Sequence, residues 1–354
     1  MARVAVVILN WNGRALLERF VPLLERRSGG DVEFVVADNG SDDDSLAWLE
    51  AHHPEVRRIA LGRNYGFAEG YNRALAQVEA EYYVLLNSDV EVGERWLEVL
   101  VRFMESHPRV AACMPKILDL KMRERFEYAG AAGGFLDKYG YPFCRGRLFD
   151  VLETDHGQYD EAVPVFWASG ACLMVRAADW HAAGGLDPAF FAHMEEIDLC
   201  WRLQLMGREV WVVPRSRVWH LGGATLNEAS PHKTYLNFRN NLYLLFKNLP
   251  ASRLLPVLTV RLLLDGLAAL KFLAGGEWGF HKAVWKAHFA FWRNLPRLRK
   301  IRKSIPHDAP VTLHGVYPRL LPARFFLYGE KTFSSLRDIC QLDPPSSPEN
   351  NKTT

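Results

Sequence analysis

Glu195, Glu196 and Asp198 fall within one turn of a helical stretch, with Arg202 one turn further on. A carboxylate held out of water at such a place takes a proton from an attacking hydroxyl. Arg202 stands four residues after Asp198 and is placed to pair with it. That leaves Glu195 or Glu196 for the chemistry. A further acid, Asp89, closes the run Leu85-Leu86-Asn87-Ser88. A carboxylate with an amide two residues before it suits a hard divalent cation held against a diphosphate, since Mg2+ and Mn2+ favour oxygen ligands. His220 ends the run Val218-Trp219-His220 and is a candidate third ligand. Asp38-Asn39 follow another apolar run and offer hydrogen bonds to a base or ribose. In residues 64–72, Gly66 and Gly70 let a backbone or ligand approach a helix N-terminus closely. Each site also has a structural reading: Asp38 and Asp89 in turns, the acidic turn against a helix dipole, His220 in a core.

These residues need elements to hold them. Residues 4–9, 32–37, 56–61 and 82–86 read as buried strands, and residues 14–27, about 42–51 and 67–79 as helices between them. This β-α-β-α order predicts a mostly parallel sheet covered on both faces, with ligands at the carboxyl ends of its strands. A helix over 94–107 and a strand over 110–114 follow. Residues 116–165, punctuated by Gly130, Gly133, Gly134, Gly140 and Gly146, read as an irregular insertion. Beyond it come strands at 163–167, 171–175 and 210–213 and helices at 177–183 and 195–207. There is no P-loop and no G-x-G-x-x-G in the required context, which disfavours a P-loop ATPase and a classical dehydrogenase.

The chain has 354 residues, 49% of them apolar and 24% charged, enough to bury one large core or two modest ones. Its five cysteines are widely spaced, without a C-x-x-C, which argues against a disulfide framework and suits a reducing compartment. No signal-peptide pattern is expected from residues 1–13. The net charge of +2 hides an asymmetry. Residues 1–228 carry 24 basic and 34 acidic side chains, residues 229–354 carry 19 and 7. A helix is expected over 232–248, then the leucine-rich 254–273 and the aromatic 278–292, followed by Arg293, Arg297, Arg299, Lys300, Arg302 and Lys303. The uncharged runs are shorter than the ~18–20 residues of a spanning helix. Apolar helices beside a basic cluster suit an anionic membrane surface; the competing reading is a helical cap on the body. Residues 343–354 have a disordered composition. Nucleic acid is not expected as a partner.

Taken in order, these segments resemble family 2 glycosyltransferases, especially rhamnosyltransferase-like bacterial members. The resemblance rests on Val6-Val7-Ile8-Leu9-Asn10-Trp11-Asn12-Gly13, Asp38-Asn39-Gly40-Ser41, residues 64–72, Leu86-Asn87-Ser88-Asp89, Trp167-Ala168-Ser169-Gly170-Ala171-Cys172, Phe190-Phe191 with 195–202, and 218–223. It covers about residues 4–225.

The resemblance implies an α/β fold of the GT-A kind with a C-terminal helical extension, and inversion at the anomeric carbon of a nucleotide-diphosphate sugar, with dTDP-rhamnose as the guess for the donor. It assigns Asn10, Asp38, Asn39, Asn64, Gly66, Phe67, Asn72, Asn87 and Ser88 to the nucleotide sugar, and Trp167, Ser169 and Gly170 to the acceptor or transferred sugar. Asp89, with His220, would hold Mg2+ or Mn2+. Asn87 replaces the first acid of the family's D-x-D motif, and Glu196 stands where the family has the Asp of its Glu-Asp base motif, so the base is Glu196 or Glu195, with Asp198 alongside. The expected domains are 1–115 for the donor, 116–228 for acceptor and catalysis, 229–304 as a membrane-associating region and 305–354 as a partly disordered tail. The acceptor would be a saccharide, lipid-linked, at the cytoplasmic face of the cell membrane, in polysaccharide synthesis. A non-catalytic sugar-binding protein and a nucleotidyltransferase are the alternatives; the loop 10–14, with its one glycine, disfavours the second.

Overall fold

A computed structural model describes residues 2–222, 230–307 and 311–339. Strands β1 (Ala2–Asn10), β2 (Val32–Asp38), β3 (Arg57–Ala60) and β4 (Ala80–Leu86) alternate with helices α1 (Arg14–Arg27), α2 (Ser45–His52) and α3 (Gly66–Leu75). These strands are parallel, β1 lying between β2 and β4. Val4 to Val7 are buried without alternation, as expected of a strand covered on both faces. Register sets Asn10 beside Asp38 and Ile8 beside Leu86. The strand order therefore reverses between β1 and β4, and the polar residues following these strands open into one crevice.

The short β5 (Val90–Val92), helix α4 (Trp96–Ser106) and β6 (Val110–Asp119) follow. β6 runs five residues past its expected end. Residues 116–165 are not irregular, as composition had implied. They supply β7 (Gly134–Asp137), β8 (Pro142–Cys144), β9 (Arg147–Leu148) and β10 (Val151–Leu152), which form a second sheet in the order β10-β9-β8-β7. Strands of two to four residues leave no readable period, and the glycines are its turns. After β11 (Val163–Pro164), β12 (Cys172–Arg176) enters the large sheet antiparallel between β4 and β6. Helices α5 (Ala177–Ala183) and α6 (Glu195–Leu205) lead to β13 (Glu209–His220), which pairs with β6, β5 and β11.

Helix α7 (Pro231–Asn248) packs on α6, and α8 (Ala251–Ala274) and α9 (Trp278–Arg302) form a hairpin beside it. Arg261 and Asp265 do share a face of α8, and that face is buried. Their charges meet at 3.1 Å, with His288 3.3 Å from Asp265 and the Tyr141 ring 3.8 Å from the guanidinium. The segment after 311 is not simply a loose tail. β14 (Val316–Tyr317) adds to β7, and Tyr317, Leu321, Phe325 and Phe333 join the core. Residues 343–354 lie outside the described residues.

Candidate active site

The crevice between β1 and β4 is lined by linked polar side chains. Asn10 donates to Asp38 at 3.1 Å, and the Ser41 N–H donates to the other Asp38 oxygen at 3.0 Å. Asn39 donates to Asn64 at 3.2 Å and to the Gly66 carbonyl at 3.1 Å, and accepts from the Tyr65 N–H at 3.0 Å. Asn10, Asp38 and Asn39 are buried, so the loops after β1, β2 and β3 are locked together at the crevice floor. The buried Asn10 Oδ1 has no hydrogen-bond partner among the described residues.

Two expectations here need correction. Gly66 and Gly70 do not leave the N-terminus of α3 open to a ligand. Gly66 has φ +76°, and a Cβ there would meet the Phe191 ring at 2.5 Å. The Phe191 carbonyl accepts the N–H groups of Phe67 at 2.7 Å and Ala68 at 3.2 Å, so it caps that helix itself. Asn72 does not offer a free amide to a nucleotide sugar either. Its Nδ2 donates to the Leu186 carbonyl at 2.7 Å, and its Oδ1 accepts from the Leu186 N–H at 3.0 Å. Asn72 thereby clamps the turn leading to the loop before α6.

Asp89 and His220 meet as expected, at 3.0 Å between Oδ1 and Nε2, both buried. Antiparallel pairing of β5 with β13 brings them together. Asn87 Nδ2 lies 3.4 Å from the same ring nitrogen. The other nitrogen, Nδ1, faces Glu127 at 3.2 Å. Burial opposes charge on this ring, but Asp89 and Glu127 outweigh it and push its pKa up to about 10. Glu127 lies in the glycine-rich segment, where no pattern marks it.

Glu195 and Glu196 open α6. Each has one buried oxygen without a hydrogen-bond partner among the described residues. Burial, then the neighbouring Glu196, pushes Glu195 well above the usual carboxylate range. Burial pushes Glu196 up to about 7. Asp198 is different, because its charge is fully matched. It accepts from Arg202 at 2.9 Å, from Lys247 at 2.9 Å and from Asn248 at 2.8 Å. Its placement beside the two glutamates as a third catalytic acid is corrected on that ground: it is a structural anchor.

The loop before α6 is strained. Phe191, His193 and Met194 have φ of +64°, +69° and +73°, a conformation that costs about 1–3 kcal/mol per non-glycine residue. Helix α7 holds it. Asn240 donates to the carbonyls of Phe190, Ala192 and His193 at 2.7–3.0 Å, and Arg239 donates to those of Ala189 and Phe190 at 2.9 Å. Residues 231–248 thus pack into the α/β body through this loop. The signal is polar residues on the buried face of a helix: Asn240, Asn241, Lys247 and Asn248 are all buried.

Gly170 joins the two acidic groups. The Asn87 N–H donates to the Ala171 carbonyl at 3.0 Å, and a Cβ on Gly170 would lie 3.9 Å from Glu196 Cβ and 3.1 Å from the Phe67 ring. Ser169 is buried, its hydroxyl bonded to the Ala129 carbonyl. Ser88 is buried close to Gly13. Trp167 is corrected from a pocket wall to a core residue. It is 4% exposed, its N–H donates to the Phe135 carbonyl at 3.0 Å, and its ring lies against Gly134.

The mostly parallel doubly wound sheet with helices on its faces has the GT-A fold. The solved structure of GalNAc-T7 with UDP, GalNAc and Mn2+ matches at a TM-score of 0.57 and 17% identity, over 70% of this chain and about half (49%) of that one. The S. aureus TarS 1–349 complex with UDP-GlcNAc matches at 0.53 and 15%, over 85% and 91%. Residues 5–154 match the model of Glycosyl transferase family 2, which together with the named relatives supports a family 2 glycosyltransferase. It is rhamnosyltransferase-like. The N-acetylglucosaminyl-diphospho-decaprenol L-rhamnosyltransferase of Mycobacterium tuberculosis is 28% identical over 230 residues, which are 61% of this chain and 75% of that protein.

Proposed function

We propose that this glycosyltransferase inverts the anomeric carbon of a nucleotide-diphosphate sugar, of the dTDP-rhamnose class, and transfers the sugar to a lipid-linked saccharide during polysaccharide synthesis. The observation that carries this is the pairing of an uncharged-leaning acid, Glu196, with the Asp89–His220 pair across Gly170. Glu196 takes the proton of the acceptor hydroxyl on its carboxylate, the acceptor oxygen bonds to the anomeric carbon from the face opposite the diphosphate, and the bond to the diphosphate breaks as it leaves. Burial and the neighbouring Glu196 favour the neutral form of Glu195 beside it. Asn10, Asp38 and Asn39 orient the nucleotide, and Phe67 and Gly170 shape the floor under the sugar.

The donors at the crevice mouth fit a divalent cation. The Asp89 carboxylate oxygen suits Mg2+ or Mn2+, and His220 Nε2, 3.0 Å from it, would join it as a ligand once it gives up its proton. Among the described residues no cluster of three or more His, Cys, Asp or Glu side chains encloses a metal, so diphosphate oxygens and water would complete the shell, as is usual for Mg2+. Asp89 and His220 would hold the ion, which supplies neutralisation of the leaving diphosphate.

A thermal-shift screen of UDP-, GDP- and dTDP-sugars, each with and without Mn2+, tests the donor reading. One nucleotide class is expected to raise the melting temperature in a metal-dependent manner, and Asp89→Ala to abolish that dependence. An unchanged metal-dependent shift in Asp89→Ala overturns the assignment.

The lipid reading is supported by the α8–α9 hairpin. Leu255, Leu263, Leu267 and Leu270 form one exposed stripe, Trp278, Trp285, Phe289 and Trp292 another, with Phe326, Leu327 and Tyr328 also exposed. Lys271, Lys282, Lys286, Arg293, Arg299 and Lys300 stand exposed on the same two helices. An apolar stripe flanked by cations suits an anionic bilayer surface at the cytoplasmic face. Among the described residues no helix is long and apolar enough to cross a membrane. Replacing Trp278, Trp285, Phe289 and Trp292 together by Ser is expected to release the protein from anionic vesicles in co-sedimentation without changing its nucleotide-induced thermal shift. Undiminished sedimentation would rule the surface out.

A further inference from the structure

Arg147 sits on β9, opposite Cys144, and is 6% exposed. Lys116, Lys247 and Arg261 are equally buried cations, and each has a carboxylate at 2.8, 2.7 and 3.1 Å. Arg147 forms no ion pair among the described residues. Its Nη1 donates to the Phe149 carbonyl at 3.3 Å, its Nη2 to the Cys144 sulfur at 3.4 Å, and its buried Nε to nothing. Burial works against this charge; Cys144, Tyr128 and Glu127 offset that cost, and an anion would meet the N–H groups they leave unused.

The surroundings show where that anion would come from. The Tyr128 ring covers the guanidinium at 4.3 Å and is itself 53% exposed, so the charge lies one ring below the surface. Glu127 is the nearby acid, but its oxygens are committed to the Ala129 N–H at 2.5 Å and to the His220 ring at 3.2 Å. Tyr128, which covers Arg147, follows Glu127 in the chain, and Glu127 faces the His220 ring that meets Asp89, which sets the guanidinium on the crevice side of the second sheet. The donor-side network of Asn10, Asp38 and Asn39 lies on other strands, at the β1–β2 edge.

We propose that Arg147 is a binding residue for phosphate oxygens of the acceptor, the diphosphate joining its first sugar to its lipid. The planar fork of an arginine matches two such oxygens at once. This rests on the lipid-linked reading of the acceptor. The other source of the same chemistry is the diphosphate of the donor.

Titration calorimetry on the full chain separates the possibilities, with geranyl diphosphate and geraniol as probes and dTDP as the donor-side control. Wild type is expected to bind geranyl diphosphate at least ~tenfold more tightly than geraniol, in keeping with a charge-assisted contact. Arg147→Gln erases that preference, Arg147→Lys keeps part of it, and dTDP affinity is the same in all three. A preference that survives in Arg147→Gln overturns the inference alone. A fall in dTDP affinity in both variants assigns the guanidinium to the donor and also overturns it. A wild type indifferent to the diphosphate overturns both the inference and the lipid-diphosphate reading. Arg147→Lys, which keeps the charge, guards against a variant that fails to fold.

Discussion

Glu196→Gln is expected to lower kcat by about 10³-fold, within the range of a lost general base, and to leave donor affinity unchanged. The wild-type rate should rise about tenfold per pH unit on the acid side and level off above about 7, where Glu196 ionises. In Glu196→Gln that limb disappears. A variant within twofold of wild type would sink the assignment. The same residue makes a second, opposite prediction for stability. Its pKa is higher in the folded chain than the ordinary 4.5, so the folded state binds more protons between those values. Stability therefore falls as pH rises from about 4.5 through about 7. Glu196→Gln removes that penalty, so its melting temperature should exceed that of wild type at pH 8 and match it at pH 4. Equal melting temperatures at pH 8 would show that the carboxyl is not strained by burial.

Lys247→Met is expected to destabilise the chain by about 3–5 kcal/mol, the range for breaking a buried ion pair from one side. Lys247 is 1% exposed and donates to Asp187 at 2.7 Å and Asp198 at 2.9 Å. Its loss leaves the two buried carboxylates to Arg202, Asn248, Arg297 and the Ala189 N–H. Burial works against charge on Asp187, but Lys247, the Ala189 N–H and Arg297 hold it down to about 2; Lys247 and Arg202 likewise depress Asp198. Depressed acids stabilise the fold above their unfolded pKa, and the contribution is lost as pH falls through about 4 toward 2. Urea titration at pH 7 and pH 3 checks both points. The gap between wild type and Lys247→Met should be wide at pH 7 and narrow at pH 3. A gap below about 1 kcal/mol at pH 7 would mean that the remaining cations suffice.

The parallel half of the sheet was readable because buried strands and amphipathic helices each leave a period in the chain. Val4–Val7 and the run before Asn87 are examples. Arg202 could be paired with Asp198 in advance because one helix turn places them together, and Asp89 with His220 because the family resemblance implied it. The second sheet was hidden, since its strands are shorter than any period. Asn72 and Trp167 were misplaced for another reason. Type and position show that a group lies near a crevice, not whether its hydrogen bonds are already spent on backbone, as these are on Leu186 and Phe135. Glu127, far in sequence from the His220 ring it faces, and Arg147, on a strand of two residues, carry no local mark at all.

The bonds from Asn240 and Arg239 to the loop before α6 also bear on how such enzymes diverge. The family match ends at residue 154, yet the acidic turn at 195 is held in shape from residues 239–248. Helix α7 in turn rests on α9 through Phe291, which meets Tyr243 and Phe246. The helical end is therefore not a swappable attachment. A chimera that takes its C-terminal helices from a relative should work only if residues 189–194 travel with them, so loop and helix would be inherited as one unit.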